Sequence, residues 1–455
     1  MIDLIRLCLP YLLLLYFVVK GIKEPFYFLG IPFLMFMSES IFFPGVKLFQ
    51  IPGRLEFGLK FFWIIICWII STFLQTSYEN IEISKNQRLN ALDYCIIGLI
   101  LITLFGLGST IFNYLILTSV FKEFIILISL FVSYFIIKNL SSRNKPEVLE
   151  KFLFSLLIVN SVASFLYLLH QGLHIKIYLI EEYLTEIFAG EEITRTFWFM
   201  PQFLFFSIAY SLVYREKRPF VFTVLLIINL LATFITYFRS FSIIAVCIFL
   251  LYFMLTGIKK GRIGTFLKNV FIFIVVGVLS FIMVAKFLPA NTKYLLDRFS
   301  EITKPSLTRE PNNLESRFTM TGIIISNIDE NNKILGMGPV TENQLSTVLS
   351  MRQTTADMVW AGVIFRWGFL GLILFILLYI FSIIKAFIIY MKTEGVLSNL
   401  ALLFLLYTIS QSIHSFIDWT FMSGHGFAIG LWYFAMLSAL VGFYENKELS
   451  DTKII

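Results

Sequence analysis

Apolar runs close to the length of a bilayer crossing recur along this chain and leave it few folds to choose from. They fall near 3–19, 26–44, 59–75, 91–108, 120–138, 152–169, 197–213, 220–238, 241–257, 268–287, 358–384, 398–414 and 425–443. A helix needs roughly twenty predominantly apolar residues to cross the hydrocarbon core. Backbone in lipid must satisfy its own polar groups, so such runs read as helices. Strands of a membrane barrel would instead be short and alternating. Composition agrees: 58% of the 455 residues are hydrophobic and 14% charged, where a soluble domain carries about 25% charged residues. The expectation is an all-α polytopic integral membrane protein, a single transmembrane domain over 1–455 with about twelve or thirteen helices. The first run lacks a small-residue cleavage site and reads as a retained helix.

Basic residues set the expected orientation. Loop 138–151 holds Lys138, Arg143, Lys145 and Lys151. Loop 214–219 holds Arg215, Lys217 and Arg218, and loop 258–268 holds Lys259, Lys260, Arg262 and Lys268. Lys385 and Lys392 follow the 358–384 run. Successive members of this set are two crossings apart, which puts all four on the cytoplasmic side. The opposite side receives the turn at Arg239, the His414–Asp418 turn and the 170–195 loop, with Glu181, Glu182, Glu186, Glu191 and Glu192. The net charge of +7 is accounted for by these loops and does not point to nucleic acid. Cys8, Cys67, Cys95 and Cys247 all lie in apolar runs without metal or disulfide spacing, as small core residues would.

The one large polar stretch, 286–357, also falls on the external side. Leu295, Leu296, Phe299 and Ile302 share a helical spacing, as do Leu314, Phe318, Ile324, Ile325 and Ile328. The stretch therefore reads as short amphipathic helices laid over the mouth of the bundle. No internal repeat is evident, which weighs against a transporter built from repeated halves.

P-loop, dinucleotide, HExxH and GxSxG patterns are missing from the sequence. Gly336-Met337-Gly338-Pro339 is a bare GxG and reads as a tight turn. The candidates for chemistry are arginines and a few carboxylates on the external side. Arg239 sits in a nearly absent connection between two crossings, where a cation needs an anion, a wet cavity or a snorkelling route to the headgroups. Arg195 opens "RTFWFMPQF" and is either an anion ligand or an interfacial anchor beside Trp198, with Gln202 slightly deeper. Arg317 is either an anion ligand or a solvated partner of Glu315 or Glu310. Arg366 lies inside an apolar run and needs a partner or a wet cavity. Asp357 stands at the exit of the large loop, as a base or as a helix cap. His414 and Asp418, at i and i+4, would share a helix face, as an oriented base or as a polar helix end. Two such ligands do not make a metal site, and no metal or other cofactor is expected. Arginines fit phosphate through their planar fork, and they would stabilise a departing diphosphate.

Four pieces of the sequence then resemble, in order, the bacterial O-antigen polymerase and ligase superfamily. They are "RTFWFMPQFLFF" (195–206), "TYFRSFSIIAV" (236–246), "ESRFTMTGIIISNIDENNKILGMGPV" (315–340) and "DMVWAGVIFRWGFLG" (357–371). The resemblance covers most of 120–375. It implies a GT-C-like helical fold with the active site and the 286–357 loop in the periplasm, in a bacterial inner membrane. It implies a glycosyltransferase that uses undecaprenyl-diphosphate-linked oligosaccharide among membrane lipids, with a membrane-bound chain-length regulator as a partner. Arg239, Arg317 and Arg195 fall where the diphosphate would bind. Two departures matter. Ligases begin the loop exit with His-Asn, and counting back from Gly368 puts Asp357 at that His; "TYFRS" also lacks Ser before its Arg. The Asp favours a repeat-unit polymerase over a ligase that moves finished glycan to lipid A core. A lipid-oligosaccharide flippase shares the apolar composition but leaves the large loop without a role.

Overall fold

The computed structural model describes residues 2–38, 64–74, 89–114, 117–173, 184–188, 191–195, 201–236, 239–261, 333–339, 359–415 and 424–452, with a few more between 264 and 328. The described helices are α1 (Ile2–Lys23), α2 (Gly30–Ser38), α3 (Ile64–Leu74), α4 (Ala91–Tyr114), α5 (Leu117–Ser142) and α6 (Pro146–Leu173). They continue with α7 (Pro201–Val213), α8 (Pro219–Ile235), α9 (Arg239–Lys259), α10 (Val359–Lys392), α11 (Gly395–Ser415) and α12 (Gly424–Thr452). Seven contain spans long and apolar enough to cross a membrane: Ala91–Gly108, Phe124–Ser142, Pro146–Leu169, Ser240–Lys259, Trp360–Lys392, Gly395–Ser415 and Ala428–Asn446. The protein is thus a multi-pass helical membrane protein. Shorter apolar helices cover Pro25–Leu34, Ile64–Leu74, Phe203–Val213 and Pro219–Ile235. The described part of the expected 26–44 crossing is divided, because Pro25 opens a 3-10 turn, Pro25–Leu29, ahead of α2. The expected 268–287 crossing lies largely outside the described residues.

One element departs from the helical plan. Leu184–Phe188 and Glu191–Arg195 form an antiparallel hairpin, β1 and β2, in register Phe188↔Glu191 to Leu184↔Arg195. Thr185, Ile187, Ile193 and Thr194 supply the β-branched residues that favour strands. Arg195 is therefore the last residue of a strand, and not the opening of a membrane helix as the sequence reading had it. The described helix that follows is α7, which opens on Pro201.

The chain divides into two compact units, Met1–Leu156 with Phe318–Ile455, and Leu157–Arg317. In the first unit α10 packs on α4 and α11, and α12 packs on α5. The rings of Phe17, Phe26, Tyr27 and Phe33 surround Phe152, with centroids 4.9–6.5 Å away. Helices in lipid gain little from hydrophobic burial, so such packing and interhelical hydrogen bonds hold them together. The strongest polar tie begins at the start of α4. Asn90 accepts the N–H groups of Leu92 and Asp93, and Asp93 accepts the Asn90 N–H at 2.7 Å, a reciprocal cap. The same carboxylate accepts from the Tyr134 hydroxyl (2.9 Å), the Ser438 hydroxyl (3.0 Å) and the Lys138 ammonium. Asp93 and Lys138 are both buried. Lys138 is consequently not a solvated loop cation, as its place in 138–151 suggested. Arg143 is half-buried and donates to Thr72 at 3.4 Å, and burial holds its pKa below the usual arginine value. Lys145 and Lys151 are exposed, as loop cations should be.

The second unit is tied by buried amides. Asn160 of α6 donates to Ser207 of α7 (2.8 Å) and to the Asn229 side-chain oxygen of α8 (3.1 Å). Ser164 donates to the same oxygen, and Asn229 donates to Ser161 and to the Leu225 carbonyl, each at 2.8 Å. Between α7 and α8 the cations Arg215, Lys217 and Arg218 are exposed. Helix α8 ends at Ile235 with Thr236 as its C-cap, and α9 begins at Arg239; residues 237–238 of the expected tight turn lie outside the described residues.

Candidate functional site

The break in α10 organises the end of the bundle where the large loop returns. Gly368 adopts φ 64°, ψ −167°, a region open in practice only to glycine. In a continuous helix the Phe369 and Leu370 N–H groups would bond the Phe365 and Arg366 carbonyls. Here the loop segment takes all four groups instead. Met337 N–H donates to Phe365 O (2.7 Å) and Gly338 N–H to Arg366 O (3.1 Å). Phe369 N–H donates to Lys333 O (2.9 Å) and Leu370 N–H to Ile334 O (3.1 Å). A helix can be interrupted at membrane depth only when its freed backbone groups are satisfied this way.

The contact is too close for side chains. A Cβ on Gly368 would lie 2.2 Å from Ile334 O, and one on Gly336 would lie 2.5 Å from the Arg366 carbonyl. A Cβ on Gly106 of α4 would lie 2.8 Å from the Gly338 Cα. Gly336 and Gly338 both have φ 79°, so the GxG is the tight turn expected of it. Trp367 fixes the break against α4 by donating its indole N–H to Thr103 (3.0 Å).

Beyond the break, α10, α11 and α12 enclose a polar and aromatic cluster. Trp360, Phe375 and Tyr379 stack edge-on in sequence at 5.8 and 5.2 Å, and Tyr379 meets Phe434 at 5.2 Å. The Tyr379 and Ser415 hydroxyls are 3.2 Å apart. Tyr407, Gln411, His414 and Ser415 recur at helical spacing along one face of α11, and all are buried. Tyr407 lies 4.4 Å from the ring of Tyr433. Among the described residues, neither amide atom of Gln411 and not the Tyr407 hydroxyl has a hydrogen-bond partner. Buried polar groups are nearly always satisfied, so these atoms mark where water or a polar ligand binds. An amide both donates and accepts, and a tyrosine ring offers an apolar face, a pairing that suits a polyhydroxylated molecule.

Of the residues singled out in the sequence, His414 belongs to this cluster. Arg366 is half-buried, one residue before Trp367, with its carbonyl held by the loop. Arg239 is the first residue of α9, Gln202 the second of α7, and Arg195 the end of β2. Asp357, Arg317 and Asp418 lie outside the described residues. No group of three or more His, Cys, Asp or Glu suited to a metal occurs among the described residues.

Tyr407, Gln411, Tyr433 and Tyr379 were missed in the sequence, although polar residues every third or fourth position in an apolar run are a readable signal. Asp93 was missed because its partners come from α5 and α12, far away in the chain.

Fold and site together define, among the described residues, a multi-pass helical membrane protein with a broken helix, a loop bonded into the break and a buried polar cluster beside it. No family model matches the chain, and no curated protein matches it.

Proposed function

We propose that this chain is a metal-independent glycosyltransferase that polymerises undecaprenyl-diphosphate-linked oligosaccharide repeat units at the periplasmic face of a bacterial inner membrane. The product is an O-antigen, capsular or exopolysaccharide chain. The observation that carries the reading is the buried face of Tyr407, Gln411 and His414, at the bundle end where the large loop returns. The resemblance of four sequence pieces supports it. Two of those pieces, 315–340 and 357–371, are joined backbone to backbone in the α10 break.

In this mechanism the acceptor sugar hydroxyl loses its proton to Asp357 or, in its place, to His414 oriented by Asp418. The hydroxyl oxygen attacks the anomeric carbon of the donor glycan. The bond from that carbon to the diphosphate oxygen breaks, and undecaprenyl diphosphate leaves with the electron pair. Arg239 and Arg317, with Arg195 as a third, hold the growing negative charge. Arg366 and Gln202 are further candidates for polar contacts to substrate.

A broken helix is also a construction used by transporters, which keeps a lipid-oligosaccharide flippase as the second reading. One experiment separates the readings. Purified full-length protein is incubated with lipid-linked repeat unit from the organism that encodes it, with and without lipid A core, in detergent and in proteoliposomes. A ladder of products supports the polymerase. Transfer of one block to lipid A core makes it a ligase. Movement of lipid-linked glycan across the bilayer without a new glycosidic bond makes it a flippase.

A further inference from the structure

At the α10 break four helix backbone groups exchange their partners in the helix for partners in the loop, and that property makes it reversible. Two bonds of a regular helix, Phe369 N–H to Phe365 O and Leu370 N–H to Arg366 O, are replaced by four bonds to residues 333–338. If the loop segment withdrew, the same four helix groups would find one another, and the loop groups would find water. Neither arrangement leaves any of these four helix groups orphaned in lipid, a condition a two-state element in a membrane must meet. Gly368 permits both, since glycine adopts φ 64° and the helical region about equally well. Four bonds against two favour the docked state; the chain entropy of an ordered loop favours release.

We infer that α10 is a switch with two states, broken with the loop docked and continuous with the loop released. The change is large. Trp360 and Phe375 have ring centroids 5.8 Å apart because the break lets the first segment of α10 fold back on the second. In a straight helix residues 360 and 375 are about 22 Å apart along the axis. Release therefore swings Val359–Trp367 away from the rest of α10, separates Trp360 from Phe375 and parts the Trp367–Thr103 bond. The inference stands on backbone geometry alone and survives if the glycosyltransferase reading fails.

Residue-resolved amide hydrogen exchange on the full-length protein tests it. In the released state Met337 and Gly338 lose their acceptors, while Phe369 and Leu370 exchange one acceptor for another. Met337 and Gly338 are therefore expected to exchange at least tenfold faster than Phe369 and Leu370. Gly368→Ala should widen the gap, because a Cβ there meets Ile334 O at 2.2 Å and alanine favours the continuous helix. Four amides exchanging at one common rate in wild type would mean that the break simply melts, and the switch would be wrong. A Gly368→Ala protein that folds with unchanged exchange at Met337 and Gly338 would overturn it as well. If that variant does not fold, the wild-type ratio decides alone.

Discussion

The Asp93–Lys138 pair offers the sharpest test of the packing of α4, α5 and α12. Asp93 accepts four hydrogen bonds, from Lys138, Tyr134, Ser438 and the Asn90 N–H, and none of its surface is exposed. Lys138→Met removes the cation and leaves a buried carboxylate with three neutral donors. Breaking a buried pair from one side costs about 3–5 kcal/mol. The surviving donors should keep Lys138→Met near the lower end, about 3 kcal/mol. Asp93→Asn keeps an acceptor for the Asn90 N–H but strands the ammonium, so it should cost about 3–5 kcal/mol. The double variant buries no charge. Replacing a buried pair by neutral groups is often close to neutral, so about 1–2 kcal/mol is expected. The two single costs should thus sum to about 6–8 kcal/mol and exceed the double by about 4–7 kcal/mol, above the usual range of pairwise couplings. Unfolding in mixed decylmaltoside and SDS micelles, followed by tryptophan fluorescence, gives all three values. Costs that add within about 0.5 kcal/mol would show that the two groups do not meet, and the packing of α4 on α5 drawn from them would be wrong.

Further outcomes follow from other contacts. Asn229→Val removes three hydrogen bonds between α6 and α8 and one within α8; at about 0.6 kcal/mol per interhelical bond in a membrane, the same micelle unfolding should show about 2 kcal/mol lost. Gly106→Ala should cost about 1–3 kcal/mol, because its Cβ meets the Gly338 Cα at 2.8 Å. Gly442→Ala, with nothing within 4 Å, should gain up to about 1 kcal/mol. Arg239→Ala and Arg317→Ala should each weaken donor use by about 1.5–3 kcal/mol in kcat/KM, and Arg317→Lys should be impaired too, since a point charge lacks the fork. Full polymer length and yield in the Arg239→Ala, Arg317→Ala double variant would remove both from the diphosphate site. Asp357→Asn should fold, bind lipid-linked substrate and make no polymer, because Asn caps a helix as Asp does but takes no proton. Wild-type polymer from Asp357→Asn, with none from His414→Ala, would move the base to His414.

The amino-acid sequence by itself determined the class of this protein. Runs of apolar residues in lipid can only be helices, so the α4, α5, α9, α11 and α12 spans were legible within a few residues, while α6 begins six residues before the expected 152 and α10 runs eight past the expected 384, taking in Lys385 and Lys392. Local stereochemistry was legible too, in the GxG at 336–338 as a turn; of the cysteines expected in the core, Cys67 and Cys95 are buried, whereas Cys8 is exposed and Cys247 half-buried. Tertiary structure decided what depends on partners distant in the chain. Lys138 reads as a loop cation until Asp93, 45 residues away, supplies its counter-charge. Arg195 reads as a helix opening until β1 gives β2 a strand to pair with. The 358–384 run reads as one unbroken helix because nothing within it announces the break. Gly368 permits a break, but glycine is common in membrane helices. Only residues 333–338, lying alongside, supply the four hydrogen-bond partners that make breaking cheaper than continuing.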